Sequence, residues 1–535
     1  MRKTADNRVL VLAVVFIVLF LVICFHYFDL AVSRKHVETA YERAELTIVA
    51  GDTQGTIFDR NMKHLVNTEY TYKAVVVPYS ADKESLKKYV YDTKYLEREY
   101  KKGSPFVIEC KSGMSESAGI TVFRTAVRND KKSVAEHILG YTSEGVGVAG
   151  IEAAYDRILR ENDIPNSITY NTDGFGRVLI GDGKIVHISD ADKSGVVTTL
   201  DKDIQKICEK SGNSIDKGAI VVSDISNGDI LAMASFPRYD TSNITSALSD
   251  ERSPMINRAL YSYGVGSIFK LVTACEAIEE GRKNYSYKCR GQINVKGQSF
   301  NCHKADGHGI EYLTSAIRDS CNTYFISLSR MLDAKKFRAL AYNLGFGKEN
   351  HLCRGIIGAS GVLPTDDELS VPAELANFSF GQGKLTATPL QINQFTCCIA
   401  NSGEMPQLRL IKGLTTDGEI VIDEKAPQFT KVISNATAEG IRHMMTAAIR
   451  DNENSNAQSA FVDIAAKTST AQTGRFSPEG DEYCHAWITG FFPAYAPKYA
   501  VTVLVEDGGY GNETAAPIFR DIAEKITLLE KKRSE

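Results

Sequence analysis

The chain opens on one unbroken apolar run, Val9 to Phe25, which reaches Phe28 with only His26 and Tyr27 as polar interruptions. About 20 such residues make roughly 30 Å of helix, enough to cross a bilayer, so the pattern predicts a membrane anchor. Arg2, Lys3 and Arg8 precede the run and place the N-terminus in the cytoplasm by the positive-inside rule, although Arg34 and Lys35 beyond it reduce the asymmetry. A cleaved signal ending at Ala31-Val32-Ser33 is the alternative, but such signals carry a shorter apolar core. From about residue 40 to 190, short alternating segments mix with charged helical ones such as Asp82 to Lys102. Gly181-Asp182-Gly183 and the polar stretch from Ser189 to Gly195 read as a linker. The predicted boundaries are therefore 1–36 for the N-terminus and anchor, 37–190 for a structural domain, and 191–535 for a second domain.

Val196 to Asp201 opens that second domain as a strand. Ala219 to Ile225 and Asp229 to Ser235 are β-type runs joined around Ser226-Asn227-Gly228, a strong hairpin signal. Three more strand-like runs come late: Ile464 to Gln472, His485 to Phe492, and Tyr499 to Glu506. The segment between the two groups is largely helical, and a last helical run covers Ile518 to Leu529. Strands at both ends with helices between predict an α+β sheet covered on its faces by helices.

Composition narrows the classes of partner. The 535 residues are 43% hydrophobic and 24% charged, with a net charge of −4, which are globular proportions without the basic footprint of a nucleic-acid binder. No nucleic acid is expected. The 11 cysteines are odd in number, and no CxxC occurs, so most read as buried thiols. Cys289 and Cys302 flank a predicted hairpin, Arg290 to Asn301, and a disulfide between them stays open. Cys302, His303 and His308 lie close together, but their spacing fits no familiar ligand pattern, and no metal is expected.

Ser267-Ile268-Phe269-Lys270 follows Gly264-Val265-Gly266 and opens a helical run to Glu280, with Gly281 as its stop. Positions i and i+3 share a helix face, which puts a lysine amine beside a serine hydroxyl. A serine needs such a base, and burial lets a lysine serve as one. Alone the pair is an ordinary helix pattern, but Ser320-Cys321-Asn322 comes 53 residues later, and Lys467-Thr468-Ser469-Thr470 comes 147 after that inside a predicted strand.

The SxxK, SxN and KTG triple marks serine acyl-transferases of the penicillin-binding protein and β-lactamase group. With the anchor, the sequence resembles a class B penicillin-binding protein, a membrane-anchored peptidoglycan D,D-transpeptidase. Gly55 to Asn61 is similar to the family's RGxIxDRNG element, with Gln54 for its arginine and Met62 for its last glycine. Gly150 to Tyr155 is similar to its GxExxY element, and both elements belong to the family's pedestal. Asn257-Arg258-Ala259, Ser379 to Gly383, Thr388 to Gln391 and His485 to Phe491 are family-like as well. Val265 stands where the family has proline, and Ser469 where it has the glycine of KTG; crowding at the strand edge and slower acylation are expected from Ser469.

The resemblance implies a transpeptidase domain with a five-stranded antiparallel sheet and helices on both faces, an elongated non-catalytic pedestal and one transmembrane helix, with the catalytic domain extracytoplasmic. It implies Ser267 as nucleophile, Lys270 as its base and Ser320 as proton relay. Asn322, Lys467, Thr468, Ser469 and Thr470 bind substrate, and the backbone N–H groups of Ser267 and Thr470 form the oxyanion hole. The implied function is D-Ala-D-Ala transpeptidation of peptidoglycan stem peptides, inhibited by β-lactams, without a cofactor. The implied partners are a SEDS-type glycosyltransferase and other wall-synthesis proteins. A D,D-carboxypeptidase or β-lactamase using the same serine, and a penicillin-binding scaffold or sensor, are the rival classes. His308, His485 and Trp487 read as packing residues.

Overall fold

Alternation of buried positions on two faces shapes the sheet that carries the site. The computed structural model of the chain describes residues 2–32, 45–129, 133–161, 164–173, 175–181 and 183–535. Ser33, Arg34, Lys35 and Asp182, used above for cleavage, topology and the linker, lie outside the described residues. The hairpin forms as predicted: β1 (Gly218–Asp224) and β2 (Ile230–Phe236) pair antiparallel, with Gly228 at φ 75° in the turn. β3 (Ala465–Phe476), β4 (Glu482–Phe492) and β5 (Tyr499–Val505) complete an antiparallel sheet in the order β2-β1-β5-β4-β3. The late strands neighbour one another, β1 pairs with β5, and β3 is left as an edge.

Helices cover both faces: α1 (Lys202–Ser211), α2 (Lys270–Glu279), α3 (Asn322–Ser329), α4 (Pro389–Ala400), α5 (Asn435–Arg450) and α6 (Gly511–Ser534). In β4, Ala486, Ile488 and Phe492 join the cluster that holds Ile204, Phe519 and Ile522 of α1 and α6. Trp487 and Phe491 join the opposite cluster, which holds residues of α2, α3, α4 and α5. The period of two thus sorts one strand between two cores. α4 starts where Thr388 and Gln391 cap each other's backbone, with Pro389 in the first turn, which gives the family-like Thr388 to Gln391 segment a physical reason. Asn393, fully buried, donates to Val221 O and Ala500 O, each at 3.2 Å, and ties α4 to β1 and β5. At α1, Asp201 accepts from the N–H groups of Asp203 and Ile204 and takes a two-pronged contact from Arg533 near the end of α6.

The chain divides into two units that do not follow one cut in sequence: 1–53, 70–126 and 163–190 in the smaller, and 54–69, 127–162 and 191–535 in the larger. The elements at Gly55 to Asn61 and Gly150 to Tyr155, which the sequence groups with 37–190, thus pack in the larger unit. Thr56–Phe58 runs parallel to Gly195–Thr198, and Arg128 joins Gly55 O to the buried Glu152 carboxylate. Met62 adopts φ 61°, the left-handed region that favours the glycine the family carries there.

The smaller unit holds two three-stranded sheets, one of Glu45–Gly51, Asn166–Asn171 and Lys184–His187, the other with Glu69–Val76 between Phe106–Cys110 and Ile120–Val127. Its charged stretch forms two helices, Lys83–Tyr89 and Thr93–Lys102, started by the carboxylates of Asp82 and Asp92. The N-terminal helix Arg2–Val32 contains 26 residues, Asn7–Val32, apolar and long enough to cross a membrane.

Phe491 is fully buried on the α2 side of the sheet. Phe491→Ala is expected to cost about 3–5 kcal/mol. A urea midpoint equal to the parent's contradicts this placement of the core.

Candidate active site

A close approach between a loop and the edge of the sheet builds the site. Gly266 sits at φ 61°, and a Cβ there would lie 2.5 Å from Ser469 Oγ and 3.1 Å from Thr470 O on β3. Its N–H donates to Gly381 O at 2.9 Å, and a Cβ on Gly381 would fall 2.0 Å from Gly266 O. Two glycines therefore let the backbone before α2 press on the strand. Gly266–Phe269 is a 3-10 turn that runs into α2, tighter than the helical start expected from the sequence. In that turn side chains at i and i+3 eclipse, which stacks Ser267 on Lys270. Phe269 anchors the turn among the rings of Phe337, Phe346 and Phe378.

Ser320-Cys321-Asn322 joins two helices. The N–H of Ser320 bonds Ile317 O and that of Cys321 bonds Ala316 O, the pattern that closes a helix through a left-handed residue. That residue is Ser320, at φ 51°, where glycine is usual. α3 then starts at Asn322, so one strained turn presents Ser320 and Asn322 together.

These segments meet at one amine. Lys270 Nζ lies 3.0 Å from Ser267 Oγ, 3.1 Å from Ser320 Oγ, 2.7 Å from Ser320 O and 2.6 Å from Asn322 Oδ1. The two carbonyl oxygens accept only, so they occupy two N–H groups, and the two hydroxyls share the third direction. A neutral amine fits this set: its lone pair takes the third direction and receives a hydroxyl proton. Lys270 is wholly buried, and burial first, then the Lys467 charge, hold its pKa well below the usual lysine value. Lys467, on β3, donates to Ser320 Oγ at 3.2 Å, and burial pushes its pKa down to about 8.

The structure thus brings Ser267, Lys270, Ser320, Asn322 and Lys467 into one hydrogen-bonded cluster. Thr468 and Thr470 follow on the same strand, both half-buried, and Thr470 Oγ1 accepts from Gly511 N–H at the start of α6 at 3.2 Å. Ser469 departs from its expected place. Its hydroxyl is buried and donates to Val265 O at 2.9 Å, so it links the strand to the turn that carries Ser267.

Three supporting residues carry no role in the sequence reading. Glu506 accepts from Arg258 Nε at 2.8 Å and from Tyr263 OH at 2.7 Å, and Arg258 also donates to Arg252 O and Ser253 O. The Tyr263 ring packs edge-on to Trp487 and His485. Trp487 is fully buried as expected, and its indole N–H also donates to Gly264 O at 3.1 Å. The family-like Asn257-Arg258-Ala259 was the available signal for part of this scaffold.

The expectation about metal ligands loses its basis. Cys302 and His308 are joined by Cys289 and Cys321, with all four ligand atoms within 4.8 Å of one another, while His303 stays exposed. Contributions from separate segments hide such a set from any spacing pattern. Cys289 and Cys302 are free thiols.

A family model described as penicillin binding protein transpeptidase domain matches residues 218–524. The chain belongs to the penicillin-binding protein transpeptidase family, as a class B member. Penicillin-binding protein PbpB of Mycolicibacterium smegmatis is 30% identical over 73% of this chain and 63% of its own length. Peptidoglycan D,D-transpeptidase PbpA of the same organism is 29% identical over 72% of this chain and 80% of its own. Penicillin-binding protein A from M. tuberculosis, solved as a ceftriaxone acyl-enzyme complex, superposes with a TM-score of 0.63 at 25% identity over 75% of this chain and 92% of that one. The chain spans less than two thirds of PbpB and of stage V sporulation protein D of Bacillus subtilis, at 63% and 62%. The family accounts for the five-stranded sheet and for its pairing with an N-terminal unit.

Ser469→Gly removes the bond to Val265 O and adds backbone freedom to a strand. It is expected to destabilise the fold by about 1–3 kcal/mol without speeding penicillin acylation. Faster labelling at unchanged stability contradicts this placement of the hydroxyl.

Proposed function

We propose that this penicillin-binding protein is a serine D-Ala-D-Ala transpeptidase that cross-links peptidoglycan stem peptides, and that β-lactams acylate the same serine. One observation carries the reading: a fully buried amine, with its pKa lowered, lies 3.0 Å from Ser267 Oγ and within reach of Ser320 and Asn322. Ser267 Oγ attacks the carbonyl of the penultimate D-Ala as Lys270 Nζ takes its proton. The N–H groups of Ser267 and Thr470 receive the oxyanion. As the tetrahedral centre collapses, the proton passes from Lys270 through Ser320 Oγ to the nitrogen of the terminal D-Ala, which leaves as an amine. Lys467, charged, orients Ser320 and with Thr468 holds the terminal carboxylate, while Asn322 binds the substrate amide. An amine from a second stem peptide then attacks the acyl-enzyme and restores Ser267.

The Asn7–Val32 helix serves as a single-pass anchor, with the N-terminus cytoplasmic and the transpeptidase unit outside. In that membrane a SEDS-type glycosyltransferase is the partner that supplies glycan strands, within the wall-synthesis complex. The buried position of Ser469 supports this reading over a degenerate scaffold.

Fluorescent penicillin followed by intact mass is expected to give a long-lived adduct on the parent protein and none on Ser267→Ala. Rapid drug turnover identifies a hydrolase instead, and no adduct on the parent overturns the acyl-enzyme. Lys270→Ala is expected to slow acylation by roughly 10²–10⁴-fold.

The pH dependence follows from two depressed amines of opposite use. Lys270 works neutral, so acylation rises as pH climbs through its lowered pKa; Lys467 works charged, so acylation falls as pH passes about 8. Lys467→Arg stays charged and is expected to shift that falling limb upward in the pH profile of the acylation rate constant. A falling limb left in place assigns the loss to another group.

A further inference from the structure

Cys289, Cys302, His308 and Cys321 come from four stretches of the larger unit. Cys289 ends the strand Ser286–Cys289, Cys302 follows Gln298–Asn301, His308 precedes Gly309–Tyr312, and Cys321 lies between Ser320 and Asn322. His308 Nδ1 is 3.5 Å from Cys302 Sγ and 3.7 Å from Cys289 Sγ, and Cys302 Sγ is 3.9 Å from Cys321 Sγ. A tetrahedral zinc about 2.3 Å from sulfur and about 2.0–2.1 Å from nitrogen sets sulfurs roughly 3.8 Å apart and nitrogen roughly 3.6 Å from sulfur. These three separations match tetrahedral edges, and all four ligand atoms lie within 4.8 Å of one another. We propose that these four residues bind one zinc ion, in a closed Cys3His site.

Other readings fit the geometry less well. A disulfide needs sulfurs about 2.05 Å apart and uses two of the three, leaving a buried thiol and an imidazole unexplained. Buried thiols do pack as small apolar groups, but apolar packing gives no reason to aim a ring nitrogen at two sulfurs. Three thiolates and an imidazole are soft donors that favour zinc over calcium or magnesium. Binding releases the three thiol protons to solvent and changes no oxidation state.

The surrounding backbone is folded tightly. A Cβ on Gly291 would lie 1.7 Å from Ala305 O, and one on Gly307 would lie 2.4 Å from Cys289 O. Cys302 N–H donates to Gly291 O at 2.8 Å, while His303 to Asp306 are exposed. With four protein ligands the ion has no open position for water or substrate, so its role is positioning. Cys321 transmits it. Its neighbours supply the Ser320 O, Ser320 Oγ and Asn322 Oδ1 that surround Lys270 Nζ, so a metal bond at Cys321 Sγ holds the strained turn at φ 51°. The effect on acylation rests on the proposed transpeptidase reading; the binding site itself does not.

The test uses the detergent-solubilised full chain, expressed with zinc and dialysed. Elemental analysis is expected to find one zinc per chain in the parent and in Ser267→Ala, which binds metal although it takes no penicillin. Cys302→Ser and Cys321→Ser are expected to fall well below one. Cobalt in place of zinc is expected to give thiolate charge-transfer and tetrahedral ligand-field bands, which report the ligand set without reference to activity. Chelation is expected to lower the melting temperature and to slow penicillin labelling at least tenfold at temperatures where the chain is still folded, and added zinc to restore both. Folded, penicillin-reactive parent protein with far less than one metal per chain after zinc incubation overturns the site. So does a non-reduced denatured mass lighter by the two hydrogens of a disulfide. Full zinc content with labelling indifferent to chelation overturns the positioning role and keeps the site.

Discussion

The site depends on keeping one amine out of water. Lys270 is fully buried, and a lone ammonium at such a place is costly, so the fold must either neutralise it or surround it with oxygens. It does both. The oxygens come from Ser267 on the same turn and from Ser320 and Asn322 on another, while Lys467 approaches from the sheet and discourages a second positive charge. Remove the burial and the largest cause of its lowered pKa goes with it.

That constraint explains why the edge strand is where it is. β3 has a sheet partner on one side only, and the turn before α2 occupies part of the other. Gly266 and Gly381 permit the approach because neither position has room for a Cβ. Trp487 and Ser469, directly paired across β4 and β3, fix it by donating to Gly264 O and Val265 O. Tyr263 and Arg258 share the Glu506 carboxylate and brace the same loop from the end of β5. The result is a loop before Ser267 tied to the sheet at several points.

Much of this was legible without coordinates, for physical reasons that differ by element. The hairpin, the late strands and the last helix were readable because local periodicity and an Asn-Gly turn govern them. The grouping of Ser267/Lys270, Ser320/Asn322 and Lys467 was readable because their order and spacing resemble the family's motifs, and the fold brings the five residues together. The segments 54–69 and 127–162 were not, since their packing with the larger unit is a long-range matter that composition does not encode. Helix over Asp82 to Lys102 was right in type, but the break at Val90 follows from an extended cap that only the fold shows. The full cysteine cluster was hidden for a similar reason: a predicted hairpin brings Cys289 to Cys302 in the sequence, but Cys321 joins them through a helix-closing turn that leaves no spacing rule.

The two departures at the turn before Ser267 and on the strand beside it meet in the fold. Read singly, Val265 and Ser469 each replace a residue the family prefers, and each looks like a local defect. In the fold the Ser469 hydroxyl donates to the backbone oxygen of Val265, a bond that a proline would accept equally, so it accounts for Ser469 while nothing in the structure explains Val265; Gly266 makes room for the bond, since a Cβ there would meet the Ser469 hydroxyl at 2.5 Å. A serine side chain at 469 therefore needs no groove space. It occupies the gap between strand and turn, and the turn it secures carries Ser267.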